Sequence, residues 1–284
     1  MMEKLASAHS IQRMSHAFEV SRSGYYKYLN QRKNGKRNKE NTILLSEMMH
    51  IWLKNRRAYG SPRLKTALTN MGYKVNPKRI VRLMHINGIR AFRKKKYHST
   101  TNSKHNKPVA ENLLMRNFTT EAPNKIWLGD ITYIRTKEGF LYLAVVMDMF
   151  SRMPVGYNMQ SHSRTPLVVD AFQRAIDSRG VPKELIFHSD QGTQYASDEF
   201  KKILKQYGVS QSMSRKGNCY DNAPMASFFH TLKAELSYLG RFNTRKQAEY
   251  EVKDYIDNFY ISSRLHSSLN YKSPKEYELS YLLT

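Results

Sequence analysis

From Asn124 onward the chain carries a pattern that a sheet satisfies better than a helix. Ile126-Trp-Leu-Gly-Asp-Ile-Thr-Tyr-Ile134 alternates, a turn spans Thr136 to Gly139, and Phe140 to Met149 is an apolar run suited to a central strand. Arg152 to Gln160 suits a third strand. An amphipathic helix follows, capped at Thr165, carrying Leu167, Val168, Ala171, Phe172, Ala175 and Ile176, and ending at Gly180. Glu184 to Asp190 reads as a short buried strand, Ser197 to Tyr207 as a helix, Val209 to Met213 as a strand, and Asn222 to Leu239 as a long helix. Three consecutive strands followed by alternating helix and strand predict an α/β fold: a mixed sheet with helices packed on it.

The rest of the chain is helical and basic. Among 284 residues there are 47 Lys or Arg against 23 Asp or Glu, a formal charge of +24, which points to a polyanionic partner. No apolar run approaches the ~18 residues that span a bilayer, so no membrane is expected. The single cysteine, Cys219, excludes an internal disulfide and fits a reducing, cytoplasmic setting.

The expected segments are an N-terminal helical DNA-binding piece (1–33), a helix-turn-helix-like module (42–91), a basic linker (92–120), the sheet domain (121–240) and a helical extension (241–284). Gln31 to Asn41 holds five Lys or Arg and no apolar residue, and reads as a solvated linker or backbone-contacting arm. In the second module Ser61-Pro62 starts a helix that Gly72 ends, and Asn76-Pro77 supplies an N-cap and an N1 proline for the next. That helix buries Ile80, Val81 and Met84 and offers Lys78, Arg79 and Arg82, as a DNA-reading helix would. A plain helical hairpin with a solvated basic face is the alternative. Arg93, Lys94, Lys95 and Lys96 form a basic run suited to crossing DNA.

Two carboxylates stand out. Asp130 lies mid-strand among apolar neighbours and Asp190 ends a different strand. A buried carboxylate is costly unless compensated, and a hard divalent cation compensates it well. Adjacent strands could bring the two together around Mg2+ or Mn2+; strand-end Asp residues also commonly cap turns. Asp148, ending the second strand, is read as such a cap. His188, two residues before Asp190, could position water or DNA, or be a hydrogen-bonded structural histidine.

Trp127-Leu-Gly-Asp-Ile-Thr-Tyr133, His188-Ser-Asp-Gln-Gly-Thr-Gln-Tyr195 and Ser212 through Asp221-Asn-Ala-Pro-Met-Ala-Ser-Phe-Phe-His-Thr-Leu-Lys233 resemble the second reading frame of the insertion-sequence-three family of bacterial transposases. Tyr59-Gly-Ser-Pro-Arg63, Arg264-Leu-His-Ser-Ser-Leu269 and Ser273-Pro274 extend the likeness over nearly the whole chain. The resemblance implies a ribonuclease-H-like, retroviral-integrase-like core with an Asp, Asp, Glu triad holding two Mg2+ or Mn2+ ions. It also implies binding to the transposon's terminal inverted repeats and target DNA, and copy-out, paste-in transposition by at least a dimer in the bacterial cytoplasm, at the nucleoid.

Residue by residue, the first two acids match Asp130 and Asp190. The family's Glu follows the second Asp after 35 intervening residues and precedes Ser-Phe-Phe, which places it at Ala226, before Ser227-Phe228-Phe229. The expected parent enzyme carries glutamate there, replaced by alanine to trap an inactive DNA complex; a naturally decayed copy is the rival origin. Glu235 and Asp221 are poor substitutes, Glu235 being ~13 Å along the helix. Asn222, His230 and Lys233 recur on the helix face of position 226, with Lys233 and His230 as candidate DNA contacts and a solvated face as the alternative. Arg215, Lys216 and Asn218 lie in a Gly-containing loop that could grip DNA. A non-catalytic DNA-binding repressor and a nuclease for RNA–DNA hybrids are the rival functions.

Overall fold

The computed structural model describes residues 2–91, 108–215, 218–236, 240 and 242–283. Its chain separates into two compact units, one of residues 1–54 and 59–90 and the other of residues 55–58 and 91–284.

The first unit is all helical: α1 (Met2–Leu5), α2 (Ile11–Ala17), α3 (Arg22–Asn34), α4 (Lys36–Lys54), α5 (Ser61–Asn70) and α6 (Pro77–Ile86). Serines at 10 and 21 cap α2 and α3, each accepting an amide from three residues ahead. The expected linker at 31–41 is instead helical, broken only at Gly35 between α3 and α4. Its Lys, Arg and Gln residues are good helix formers, and lacking an apolar face did not prevent them from extending helices whose other turns are buried. Met48, Leu64, Leu68 and Ile80 form this unit's core.

In the same unit, Asn76 accepts the Lys78 amide at 2.8 Å, and Gly72, at φ +87°, provides the left-handed residue at the end of α5. Along α6 the buried residues are Ile80, Leu83 and Met84. Val81, expected inside, is 51% exposed.

The second unit is built on a five-stranded sheet: β1 (Ile126–Thr136), β2 (Gly139–Asp148), β3 (Pro154–Gln160), β4 (Ile186–Ser189) and β5 (Ser210–Met213). The order is β3-β2-β1-β4-β5, with β1, β2 and β3 antiparallel and β4 and β5 parallel to β1. The mixed sheet therefore has β1 at its centre. Two helices, α7 (Thr165–Arg179) and α8 (Asp198–Gln206), pack with it around Trp127, Phe172, Phe187 and Phe200, whose rings meet largely edge to face. The residue preceding α7 is Arg164, with no side-chain cap, rather than a capping Thr165.

The segment expected as a basic linker is pinned over its described part. Leu113 donates its amide to Ser212 at 2.9 Å, and the Met213 amide reaches the Glu111 carbonyl at 3.2 Å, so residues 110–113 run along β5. Beyond β5, a short 3-10 turn (Cys219–Asn222) leads into α9 (Ala223–Leu236). The tail comprises α10 (Arg245–Asp254), a π-helical turn over Tyr255–Tyr260 and α11 (Pro274–Leu282), whose Glu278 pairs with Arg179 of α7.

Candidate active site

The parallel pairing of β1 with β4, strands ~4.8 Å apart, matches Gly129 to Ser189, so Asp130 on β1 and Asp190 just beyond the end of β4 follow at neighbouring positions. Asp130 accepts the Ile131 amide at 2.8 Å and Asp190 accepts the Gly192 amide at 3.0 Å. Burial, and then the charge of Asp190, push the Asp130 carboxyl well above its ordinary 3.8, against the opposing pull of the Ile131 amide and Lys233. Tyr195 lies against the same pair: burial first, then Asp130 and Asp190, push its hydroxyl upward. Gly129 makes this packing possible. A Cβ there would run into the Phe187 ring and crowd Tyr195.

Both ends of α9 are referred to β1. The Asn222 side-chain amide donates to the Gly129 carbonyl at 3.1 Å, next to Asp130. At the other end the Lys233 ammonium stands 4.7 Å from the centre of the Tyr133 ring, and its charge acts on Asp130. Ala226 lies between these anchors, one turn after Asn222 and two turns before Lys233. Ala226 and His230 are exposed and Lys233 half-buried on that face. Asn222, buried in the 3-10 turn, spends its amide on β1, and its Oδ1 is buried without a partner.

The other acids of this region are committed elsewhere. Glu235 is buried in an ion pair with Arg264. The Asp221 side chain accepts from Arg215 Nε at 2.8 Å, Arg116 Nε at 2.8 Å, Asn112 and the Arg215 amide. Arg215 above all, opposed by burial and helped by Arg116, holds Asp221 far below the ordinary carboxylate range. Among the described residues no group of three or more His, Cys, Asp or Glu side chains is placed to hold a metal ion. Asp130 and Asp190 are thus two hard oxygen donors whose mutual repulsion suits one divalent cation. At position 226 the side chain is a methyl and offers no oxygen.

His188 is fully buried, with Nδ1 2.8 Å from Ser212 Oγ and Nε2 2.9 Å from the Asp221 carbonyl. The carbonyl can only accept, so Nε2 carries the proton and Nδ1 accepts from the serine. Burial pushes the ring below its ordinary 6.5, against the Asp221 carbonyl. Both nitrogens are spent on joining β4, β5 and the turn before α9, and the histidine is structural. Asp148 caps its turn, accepting the amides of Asn124 at 2.6 Å and Phe150 at 2.8 Å.

The candidate DNA contacts divide in the same way. Arg215 is exposed but paired with Asp221, and Asn218 accepts the Tyr220 amide at 3.2 Å as the cap of the 3-10 turn. Lys216 and the run Arg93, Lys94, Lys95 and Lys96 lie outside the described residues. In the helical unit Lys78 and Arg82 are exposed, whereas Arg79 is turned to α4, where it meets Asn41 Oδ1 at 2.8 Å and Glu40 at 3.3 Å. Tyr195, Tyr133 and Arg116 were not singled out from sequence. Tyr195 ends the His188 motif, which was the one signal that could have drawn attention to it.

Comparison with known proteins gives the family. Residues 120–219 match an integrase core domain, residues 226–282 a second integrase core model, and residues 39–97 an HTH-like domain. The chain is 43% identical over 247 residues to the transposase for insertion sequence element IS904 of Lactococcus lactis subsp. lactis (strain IL1403), covering 87% of this chain and 98% of that protein. It is 37% identical over 278 residues to the transposase InsF for insertion sequence IS3A of Escherichia coli (strain K12), covering 98% of this chain and 96% of that protein. Among solved structures, it is similar to a simian T-cell lymphotropic virus intasome, with 16% identity, a TM-score of 0.48, and coverage of 82% of this chain and 73% of that one. The HTLV-2 integrase catalytic core domain in complex with magnesium is similar at 19% identity and a TM-score of 0.43, over 56% of this chain and 99% of that one. A five-stranded integrase-type core bearing Asp130 and Asp190, joined to an HTH-like module and matched along almost its full length, places the chain in the IS3 family of insertion-sequence transposases.

Proposed function

We infer that this chain is the DNA-cutting and DNA-joining protein of its insertion sequence, acting by metal-dependent phosphoryl transfer, and that Ala226 leaves the present form able to bind DNA but not to cut it. The observation that carries the reading is the placement of Asp130 on β1 next to Asp190, which directly follows β4, with burial and the charge of Asp190 pushing the Asp130 carboxyl upward. Mg2+ or Mn2+, two ions in the complete site, would stabilise the charge that develops at the scissile phosphate and favour the attacking oxygen. Asp130 and Asp190 would hold one such ion, and a glutamate at position 226 would complete the site. Lys233, half-buried beside Tyr133, supplies positive charge toward the DNA backbone, with His230 exposed on the same face. The helical unit holds the terminal inverted repeats. Two or more copies pair the two ends before target DNA is joined, in a copy-out, paste-in pathway.

Restoring the carboxylate tests the assignment. The Ala226→Glu protein, given Mg2+ and a transposon-end duplex, should cleave and transfer strands where the present chain does not. No gain in activity sinks the reading. Ala226 itself favours one alternative, a DNA-binding repressor of transposition, which retains DNA affinity but gains no cleavage from that substitution.

A further inference from the structure

We propose that Asn222 is a positioning residue for strand cleavage: its side-chain amide, bonded to the β1 carbonyl beside Asp130, sets where position 226 of α9 stands relative to the Asp130 and Asp190 carboxylates. The proposal deepens the phosphoryl-transfer reading and rests on it.

The two residues that lead into α9 are tied to the two strands that present the acids. Asp221 offers its carbonyl to His188 Nε2 at 2.9 Å, and His188 lies on β4, which Asp190 directly follows. Asn222 donates to the Gly129 carbonyl at 3.1 Å, and Gly129 lies on β1, one residue before Asp130. The start of the helix is therefore fixed to both acid-bearing strands. At its far end the Lys233 ammonium meets the ring of Tyr133, further along β1 than Gly129, so α9 and β1 run in the same direction. Position 226 follows Asn222 by about one turn, ~6 Å of helix, and Asp130 follows Gly129 by ~3.3 Å of strand. A carboxylate at 226 thus enters on the side of the tie where Asp130 stands.

Apolar packing alone would hold this arrangement loosely. Met225, Phe228, Phe229 and Leu232 are buried on α9, but contacts of that kind are non-directional. A slip of one residue moves the helix by ~1.5 Å and turns position 226 by ~100°. Groups that share a cation must be held to within ~0.5 Å of their working geometry. A hydrogen bond from a short side chain to a strand carbonyl excludes the slip.

Stability does not account for an asparagine at this place. The residue is 5% exposed, and its Oδ1 is buried without a partner. An unmet buried acceptor is destabilising, and an apolar side chain of similar size would avoid that cost. His188 differs, since both of its ring nitrogens are bonded, as in a residue that serves the fold. A local cost kept beside the acid pair points to the reaction as the reason for Asn222.

The experiment is a double-variant cycle on the full chain. Asn222→Leu and Asn222→Ala are each made with alanine kept at 226 and in the Ala226→Glu background. Mn2+ binding is read by electron paramagnetic resonance, thermal unfolding by circular dichroism, and cleavage on a transposon-end duplex. In the Ala226→Glu background, Asn222→Leu should weaken Mn2+ binding about tenfold and lower kcat for cleavage about tenfold or more, with DNA affinity unchanged. With alanine at 226 it should leave Mn2+ binding unchanged, because no ligand there is misplaced. Tm should stay level or rise with leucine in both backgrounds. Asn222→Ala, which adds no bulk, should show the same split in Mn2+ binding and guards against a leucine that fits badly. Unchanged Mn2+ binding in the Ala226→Glu background, or an equal loss in both backgrounds, overturns the proposal. If Ala226→Glu by itself neither tightens Mn2+ binding nor restores cleavage, the phosphoryl-transfer reading beneath it is what fails.

Discussion

The Arg264 guanidinium grips the Glu235 carboxylate, Nη2 to Oε1 at 2.7 Å, while the Tyr255 hydroxyl donates to the other oxygen at 2.7 Å. Glu235 is the one glutamate on α9, so the acid nearest in sequence to Ala226 on that helix is spent on anchoring the C-terminal tail. The pair is 5% and 6% exposed, and the His266 ring closes it from the far side of Arg264.

Removing one partner of that pair strands the other. Arg264→Met should lower the unfolding free energy by about 3–5 kcal/mol, and the double variant Arg264→Met, Glu235→Leu should recover much of it. Urea denaturation monitored by fluorescence measures both. Equal losses in the single and double variants would show that packing, rather than an uncompensated carboxylate, sets the cost.

Gly129→Ala should destabilise the second unit by about 1–3 kcal/mol, since the new methyl must displace the Phe187 ring. The same displacement acts on β1 beside Asp130. In the Ala226→Glu background it should therefore reduce cleavage more than a surface Gly→Ala change of equal thermal effect, such as Gly88→Ala.

Ser212→Ala removes the donor to His188 Nδ1 and the acceptor of the Leu113 amide, and should cost about 1–3 kcal/mol. The histidine also imposes a pH dependence. Its folded-state value lies below the ordinary 6.5, so the unfolded chain binds the proton first. Stability from this group is complete above 6.5 and falls as pH drops through and below it. His188→Gln should flatten that part of the stability curve, and denaturation at a series of pH values reads it directly.

Lys233→Met keeps the aliphatic stem against Tyr133 but removes the charge that acts on Asp130. In the Ala226→Glu background, cleavage should fall by roughly tenfold or more if the ammonium stabilises the reacting phosphate. The salt slope for DNA binding should also become shallower by about one contact. An unchanged slope with unchanged cleavage would place Lys233 outside the DNA site.

Much of the candidate site was legible because an acidic residue inside an apolar run is conspicuous. Asp130 and Asp190 stand out that way, and Ala226 only through the family resemblance, which implies a glutamate there, after Asp190 and before Ser-Phe-Phe. The roles of Arg79, Val81 and Asn222 were not. An i, i+3, i+4 pattern names the residues that border a buried stripe but not which flank a neighbouring helix will cover, so Val81 was placed inside and Arg79 outside. Asn222 has the spacing of the active face, but its bond to the Gly129 carbonyl depends on a strand far away in sequence. The basic stretch at 31–41 likewise carried no periodic signal, and helix propensity decided it.

By itself the sequence determined what depends on near neighbours: the strands and their turns, the Asn76 cap, the glycine stops, the basic charge and the family likeness. Tertiary structure decided which distant groups meet. The parallel pairing of β1 with β4 sets Asp130 beside Asp190, and chain topology brings Asn222 to Gly129, Arg264 to Glu235 and Asp221 to Arg116. The physical reason is range. A cap or an amphipathic period is settled within a turn or two of backbone. A buried polar group, whose desolvation must be offset, takes whichever partner the packed elements place within reach.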